Sequence, residues 1–411
     1  MSLVSLDAVQ NEILAEVRPL DPVVVPLADA LGLVLADEVV TQQAVPPFAN
    51  TAMDGYALHA ADTNGATPEQ PIRLRVVGTL PAGHAPDRAV GVGEAIRIMT
   101  GAPMPDGADA ILMVERTQKD GDDRVLVEVP ARRGDHIRAA GGDLPAGAAV
   151  FAPGTVLRAA HLGVLASVDV AAVRVIRRAR VGVLSTGDEL VAAGAPGPLA
   201  PGRIRDSNRP MLLGLVAEAG CEPVDLGIGV DDEAGITATL KDALATCDAV
   251  LTSGGVSVGD FDYVKAALER LGSLQSRQVA IKPAKPLAFG FVGGVPVVGL
   301  PGNPVSSLVS FECFARPALL QRMGHQRRFR PEVTARAEHP FTRHPDGRLH
   351  LDRVRLRNSP DGYVAARTGD QASNALSATA SANGLALLPD GDGVPAGASL
   401  QVLHLDGVPD H

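Results

Sequence analysis

DAVLTSGGVSVGDFDY (248–263) runs from an apolar strand pattern through a glycine-rich turn into the start of a helix. Asp248–Ser253 reads as a buried strand and Phe261–Leu271 as a helix. In an open α/β sheet, ligands gather beyond the carboxyl ends of the strands, where this turn would lie. Gly254, Gly255 and Gly259 let backbone amides approach an anion, and Ser253 and Ser257 add hydroxyl donors. Asp260 and Asp262 suit a phosphate only with a cation between them, and Mg²⁺ is the natural one. A plain strand–helix turn capped by its aspartates is the competing reading.

The pattern repeats outward. ARVGVLS (179–185) is a buried strand, and Ser207 or Asn208 can start a helix through about Gly220. Pro223–Gly227 is a strand, and Asp231 can cap a helix over Ala234–Ala245. Val279–Ile281 and a hairpin-like Leu287–Leu300 follow, and Asn303–Pro304 suits the opening of a long helix. Alternation of strand and helix across 179–325 predicts an α/β domain with a parallel sheet and crossover helices. Four more loops belong to it. STGDEL (185–190) offers Glu189 as a metal ligand or a partner of a helix dipole. RIRDSNRP (203–210) sets Arg203, Arg205 and Arg209 around Asp206, Ser207 and Asn208, as a cationic cluster or an Asx cap. AIKPAKP (280–286) displays Lys282 and Lys285 from a proline-stiffened segment that suits oxyanion capture, or solvated lysines. LPGNPVSS (300–307) presents Asn303, Ser306 and helix-start amides, an anion site or a bare cap.

The flanks differ in texture. Residues 5–18 read as a helix with Ser5 as cap and Leu6, Val9, Ile13 and Val17 on one face, and a second helical stretch covers about Leu27–Leu35. From 46 to 143, short strands such as Ile72–Val77, Ala95–Met99, Ala110–Val114 and Val125–Val129 alternate with Gly, Pro and Asp clusters, which suggests an inserted β-rich module. There NTAMDGY (50–56), RIMTGAPMPDGAD (97–109) and IRAAGGDLPAG (137–147) read as turns. After about 326, RLHLDRVRLR, GYVAAR, LALLP and SLQVLHL predict a small β-barrel or sandwich.

A chain of 411 residues suggests two to four domains, and 46% hydrophobic with 20% charged residues reads as globular. The net charge of −10, with no basic stripe, argues against nucleic-acid binding. An acidic protein that binds anions must concentrate cations, amides or metal ions locally. Pro286–Pro304, the least charged long stretch, is broken by five glycines and four prolines and cannot span a membrane. The start lacks a basic leader, and Cys221, Cys247 and Cys313 read as buried reduced thiols, so a cytoplasmic location is expected. The histidines lack zinc-ligand spacing.

NTAMDGYA, RIMTGAPMPDGADA, STGDEL, TSGGVSVGDFDY, AIKPAKP and GLPGNPVSS, in this order, make the chain similar to the molybdopterin molybdenumtransferases, the MoeA family that includes the E domain of gephyrin. The resemblance covers essentially the whole chain. It implies four domains: 1–45 with 144–178 as a discontinuous first, 46–143 inserted as a β-rich second, 179–325 as a molybdopterin-binding α/β third, and 326–411 as a C-terminal β-barrel. It implies Mg²⁺-dependent insertion of molybdate into adenylylated molybdopterin, with release of AMP. It also implies a homodimer with each site shared between subunits, and transient contact with a molybdopterin adenylyltransferase. Functional positions fall on Asp54, Thr100, Asp143, Glu189, Asp231 and Asp262, with Lys282, Lys285 and Arg138 as cations. Two stretches depart from the family pattern. RAAGGD (138–143) lacks expected charges at Ala139, Ala140 and Gly142, and ASN stands at 372–374 where Gly-Ser-His is expected, so no site is placed there. A molybdopterin adenylyltransferase, or a non-catalytic pterin-binding scaffold, are the alternatives.

Overall fold

The computed structural model describes residues 3–229, 233–254 and 263–406. The first helix, Leu6–Glu16, begins where the Ser5 side chain accepts from the Ala8 N–H at 3.3 Å. Its apolar face is selective. Val9, Ile13 and Val17 are buried in one core with Val181 and Leu251 of the α/β sheet and with Phe311 and Leu319. Val4 forms a bridge with Val279, so the chain start is stitched to the α/β unit, although the sequence expectation groups residues 1–45 with 144–178.

The stretch 27–35 is not a helix. Leu27–Asp29 makes one 3₁₀ turn, and Val34–Leu35 is a strand paired with Val175 and Ile176. Burial of Leu33, Val34 and Leu35 in β pairing outweighs local helix propensity, and Gly32 (φ +78°) breaks the turn. Pro22–Pro26 pairs with the other edge of Ala172–Ile176, which gives a three-stranded sheet whose members flank residues 36–171 in sequence.

Between them lies a six-stranded β-sheet in the order Ala110–Met113, Gly55–Leu58, Glu94–Ile98, Ile72–Leu80, Arg124–Val127, Thr117–Lys119. Every neighbouring pair is antiparallel except the central Ile72–Leu80 with Glu94–Ile98. Beside this sheet, Asn50–Thr51 pairs with Ile137–Arg138.

The α/β sheet runs Glu222–Gly229, Arg180–Thr186, Ala249–Ser253, Val295–Leu300, Pro286–Val292, Ser273–Gln278. The first four strands are parallel, and the last two are antiparallel additions. SLQSRQ (273–278) escapes detection in the sequence because its residues are mostly polar, with no apolar alternation. The inner parallel strands Arg180–Thr186, Ala249–Ser253 and Val295–Leu300 are mostly buried, as a sheet covered by helices requires, while the edge strand Glu222–Gly229 is half-buried to exposed. Asn303 precedes Pro304–Ser310, which continues through a π-helical turn, Phe311–Ala315, into Arg316–Arg322.

The C-terminal strands Glu332–Ala337, Leu349–Ser359, Gly362–Arg367, Gly384–Leu388 and Ser399–His404 close into a five-stranded barrel, because Leu349–Ser359 pairs with both Gly362–Arg367 and Gly384–Leu388. Closure removes the sheet edges. No described helix is long and apolar enough to cross a membrane.

Docking of the first helix on the α/β core carries a consequence. Ile13→Ala should cost about 2–5 kcal/mol and lower the unfolding midpoint of the α/β unit in a denaturant titration. A loss below about 0.5 kcal/mol would show that this helix is not part of that core.

Candidate functional site

Three turns that are distant in sequence meet at one corner of the β-rich module. Thr51 exchanges backbone bonds with the TGAP turn: its N–H donates to the Ala102 carbonyl at 3.1 Å, and its carbonyl accepts from Gly101 at 2.9 Å. Pairing of Asn50–Thr51 with Ile137–Arg138 sets Arg138 opposite Asn50. The next residues return beside Pro46, through Gly141 N–H to the Pro46 carbonyl at 2.9 Å and Asp143 N–H to the Val45 carbonyl at 3.0 Å. Within this corner Asp54 is exposed, and its Oδ1 accepts both the Thr100 N–H and the Thr100 hydroxyl, each at 2.7 Å. These two bonds, with Arg97 nearby, hold its carboxyl below the usual aspartate range. Asp54 is thus a fixed, exposed anion, with Thr100 as the group that aims it.

The α/β sheet gathers the other turns. Thr186, Gly229, Ser253 and Leu300 end four adjacent parallel strands in register. Among the described residues, STGDEL and LPGNPVSS therefore open on one edge, beside Ser253 and Gly254. Gly254 (φ +90°) donates its N–H to the Leu300 carbonyl at 3.1 Å, and a Cβ there would lie 2.6 Å from the Thr186 carbonyl oxygen. Only glycine fits that approach. The buried Asn208 amide donates to the Ser253 hydroxyl and the Gly302 carbonyl, both at 2.7 Å, and so ties two of these turns together. Asp231, Gly255, Ser257, Gly259, Asp260 and Asp262 lie outside the described residues.

RIRDSNRP does not present the open cationic cluster that its composition suggests. Asp206 is buried and accepts from the Ser185 hydroxyl at 3.1 Å and from Arg209 Nε at 3.0 Å. Arg209 also pairs with Asp225, and Arg205 donates to the carbonyls of Ala192 and Ala195 at 2.9 and 3.1 Å. Ser207 precedes the helix Asn208–Glu218 without a side-chain cap bond.

The lysines open on a different feature, a cleft of about 730 Å³ between the α/β unit and the barrel. Ile281–Lys282 lies parallel to Leu349–His350, and Val305 N–H donates to the Ser373 carbonyl at 3.1 Å. Val279 N–H closes the lysine loop on the Lys285 carbonyl at 2.7 Å, and Ala284 at its tip is left-handed (φ +73°), a strained state for alanine. Lys282, Lys285, Asn303 and Ser306 all line this cleft.

Most other cations of the cleft are matched. Arg343, Arg348 and His350 surround Asp346 at 3.0–3.2 Å. Burial works against the Asp346 carboxylate, but hydrogen bonds from Arg348 and His350 outweigh it and hold its pKa well below the usual range. Arg367 is bound to Asp352. Three cations differ. Lys282 and Lys285 are exposed and form no ion pair among the described residues. Arg353, with 0% exposure, donates from Nη2 to the carbonyls of Asp370 and Ala372 at 2.9 and 3.1 Å, while Nε and Nη1 have no hydrogen-bond partner among the described residues. A buried guanidinium with donors to spare is costly unless an acceptor completes it. Arg353 and Ser373 were missed from sequence. Arg353 sits in an ordinary strand alternation, and the ASN at 372–374 diverts attention from Ser373, although both line the cleft.

Among the described residues, no three His, Cys, Asp or Glu side chains converge as a metal site. The candidate metal ligands Glu189, Asp143, Asp231 and Asp262 are all carboxylates, a donor set that suits a hard cation such as Mg²⁺. Among the described residues, no hydrogen bond or ion pair ties the Asp54 corner to the Lys282–Lys285 loop.

Comparison with known proteins covers nearly the whole chain. Family models match as the MoeA N-terminal region (domain I and II) over residues 4–168, a probable molybdopterin binding domain over 182–321, and the MoeA C-terminal region (domain IV) over 334–405. Molybdopterin molybdenumtransferase 2 of Mycobacterium tuberculosis is 41% identical over 406 residues, covering 96% of this chain and 98% of that protein. A molybdopterin molybdenumtransferase of Nostoc sp. is 36% identical over 392 residues, covering 94% and 89%. The crystal structure of a molybdopterin biosynthesis moeA protein from Pyrococcus horikoshii superposes with a TM-score of 0.84 at 30% identity, over 98% of this chain and 99% of that one.

The Asp54–Thr100 geometry makes its own prediction. Thr100→Val deletes one donor, so the Asp54 titration midpoint, followed by carboxyl ¹³C shift, should rise while staying below the ordinary value. Because the folded pKa is depressed, the stability this contact adds is present above the unfolded aspartate pKa and is lost as pH falls through the folded one. An unchanged midpoint would remove the Thr100 hydroxyl as a controlling donor and leave that role to the Thr100 N–H.

Proposed function

The chain belongs to the MoeA family of molybdopterin molybdenumtransferases, and from that premise we propose that it inserts molybdate into adenylylated molybdopterin, with release of AMP, in molybdenum cofactor biosynthesis. The observation that carries this reading is the cleft: among the described residues, two lysines without an ion pair and a buried arginine with two unpartnered nitrogens converge there in a protein of net charge −10. Such a site suits a small oxyanion, and molybdate is the one that the family reaction needs.

In this reading Lys282 and Lys285 capture molybdate as point charges, and Arg353, Ser306 and Asn303 fix its oxygens. Ser253 and Gly254, with Gly255, Ser257 and Gly259 next in sequence, bind the phosphates of the adenylylated pterin. Asp206 and Ser207 set the start of the adjoining helix, and Arg138 screens the incoming anion. Asp54, aimed by Thr100, accepts a hydrogen bond or proton from the water or substrate group that reacts at the phosphoanhydride. Glu189, Asp231, Asp262 and Asp143 would hold Mg²⁺, and bound there the ion supplies charge neutralisation and Lewis acidity at the pyrophosphate.

We further infer four domains, with 46–143 inserted between 1–45 and 144–178 and followed by 179–325 and 326–411, in a cytoplasmic homodimer. Among the described residues of one chain no bond joins the Asp54 corner to the lysine loop, which supports a site completed by the partner subunit. Transient handover of adenylylated molybdopterin from a molybdopterin adenylyltransferase fits a substrate with a labile anhydride.

AMP release from adenylylated molybdopterin tests the function. It should require both molybdate and Mg²⁺, and Lys282→Ala with Lys285→Ala should raise half-saturating molybdate about tenfold or more at unchanged thermal stability. Full AMP release in excess chelator, or an unchanged molybdate requirement, would contradict it. The shared site is tested by complementation. Asp54→Ala and Asp262→Ala chains, each nearly inactive alone, should regain activity after subunit exchange, because one of the two heterodimer sites then carries neither lesion. Proven heterodimers without recovery would rule sharing out.

A further inference from the structure

A second cavity, of about 220 Å³, lies away from the lysine cleft, where Gly32–Val34 and Ile176–Arg178 meet the C-terminal ends of the helices Asn208–Glu218 and Arg316–Arg322. Two arginine-rich stretches converge on it, RVIRRAR (174–180) and RPALLQRMGHQRRFR (316–330). Neutralisation there is partial. Arg177 is held by Asp248 at 2.6 and 2.8 Å, and Arg330 by Glu312 at 2.9 Å through both oxygens. Arg178 donates only to carbonyls, those of Gly220 at 3.1 Å and Leu31 at 3.4 Å. Arg316 is 6% exposed and donates Nη1 to the Arg328 carbonyl at 3.1 Å. Among the described residues its Nε has no hydrogen-bond partner, and the nearest carboxylate, Glu312, stands 4.0 Å away and is already engaged by Arg330. Arg327, exposed at the wall, has no ion pair among the described residues, and Glu218 is the one carboxylate lining the cavity.

The ends of the two helices explain part of this charge, since cations near C-terminal carbonyls are favourable and Arg178 binds one directly. They do not explain the orphaned Nε of Arg316 or the unpaired Arg327. A buried guanidinium keeps an unmatched donor at a cost unless an acceptor completes it. Burial and the neighbouring Arg316 push His325 down to about 4, so its ring is neutral near pH 7 and offers one N–H to the same space. The volume matters too. At about 30 Å³ per water the cavity, of about 220 Å³, holds roughly seven waters or a small ion with some of its hydration, while drug-sized ligands take about 300 Å³ or more.

We propose that this cavity binds a small tetrahedral dianion of the phosphate class, at a site separate from the lysine cleft and held by Arg316, Arg327 and His325. Its walls come both from residues 32–34 and 176–178, at the ends of the strands Val34–Leu35 and Ala172–Ile176, and from the two helix ends, so occupancy ties those parts together. The inference does not rest on the molybdenum-transfer reading.

The full-length protein, titrated with inorganic phosphate at ionic strength held constant with chloride, tests it through histidine ring ¹H–¹⁵N spectra. The His325 resonance is identified by its loss in His325→Asn, and His344 and His350 report on the lysine cleft separately. Saturable movement of the His325 signal is expected, with binding weakened at least tenfold by Arg327→Gln and by Arg316→Gln. Sulfate and molybdate, titrated in place of phosphate, rank the ion within the class. Should Arg316→Gln fail to fold, the exposed Arg327→Gln carries the comparison. A His325 signal that follows ionic strength without saturating in all three ions overturns the proposal. So does movement confined to His344 and His350, or binding at His325 that Arg327→Gln leaves unchanged.

Discussion

The two-residue parallel pairing of Ile281 and Lys282 with Leu349 and His350 holds the site together. It lays the lysine loop along a barrel strand, and the bond from Val305 to Ser373 fixes the start of the neighbouring helix to the same barrel. Between these two contacts lies the cleft. Without them Lys282 and Lys285 would be solvated surface lysines, and Arg353 would face no ligand space. The barrel is therefore a wall of the proposed site and not an appendage. That is why its closure, through the double pairing of Leu349–Ser359, matters to function.

Charge placement follows from the same constraint. An acidic chain repels the anions that it handles, so cations must be concentrated where the anions dock and neutralised elsewhere. The structure separates the two roles by partner. Arg209, Arg367 and Arg343 are each bound to carboxylates and serve the fold. Lys282, Lys285 and the unpartnered nitrogens of Arg353 are left to the cleft. Counting basic residues in a motif does not distinguish these roles, because RIRDSNRP and AIKPAKP are equally cationic in composition and opposite in use.

Motif reading located the turns well because glycines, prolines and caps act locally. The helix start after Asn303 is set by adjacent residues, whereas the requirement for glycine at 254 also comes from the distant Thr186 carbonyl. The strands 180–186 and 249–253 were legible as continuous apolar runs. What escaped was set by distant partners. Leu27–Leu35 carries a helical pattern, but its end is captured by strand 172–176 from across the inserted module. Ser273–Gln278 is a strand only because Pro286–Val292 offers it an edge. Arg353 looks like any residue of an alternating strand until the barrel closes around it, and the Asp54–Thr100 contact joins positions 46 residues apart. The family resemblance named Asp54 and Thr100 as functional positions, but not their contact, and it supplied neither Arg353 nor the strand Ser273–Gln278.

The central claim is that the cleft between the lysine loop and the barrel is the molybdate site. Anomalous scattering at the molybdenum absorption edge, from crystals of the protein soaked in molybdate, tests this most directly. The account predicts a peak within the cleft, in contact distance of Lys282, Lys285 and Arg353. A peak absent there and present instead at the Ser253–Gly254 turn would contradict it.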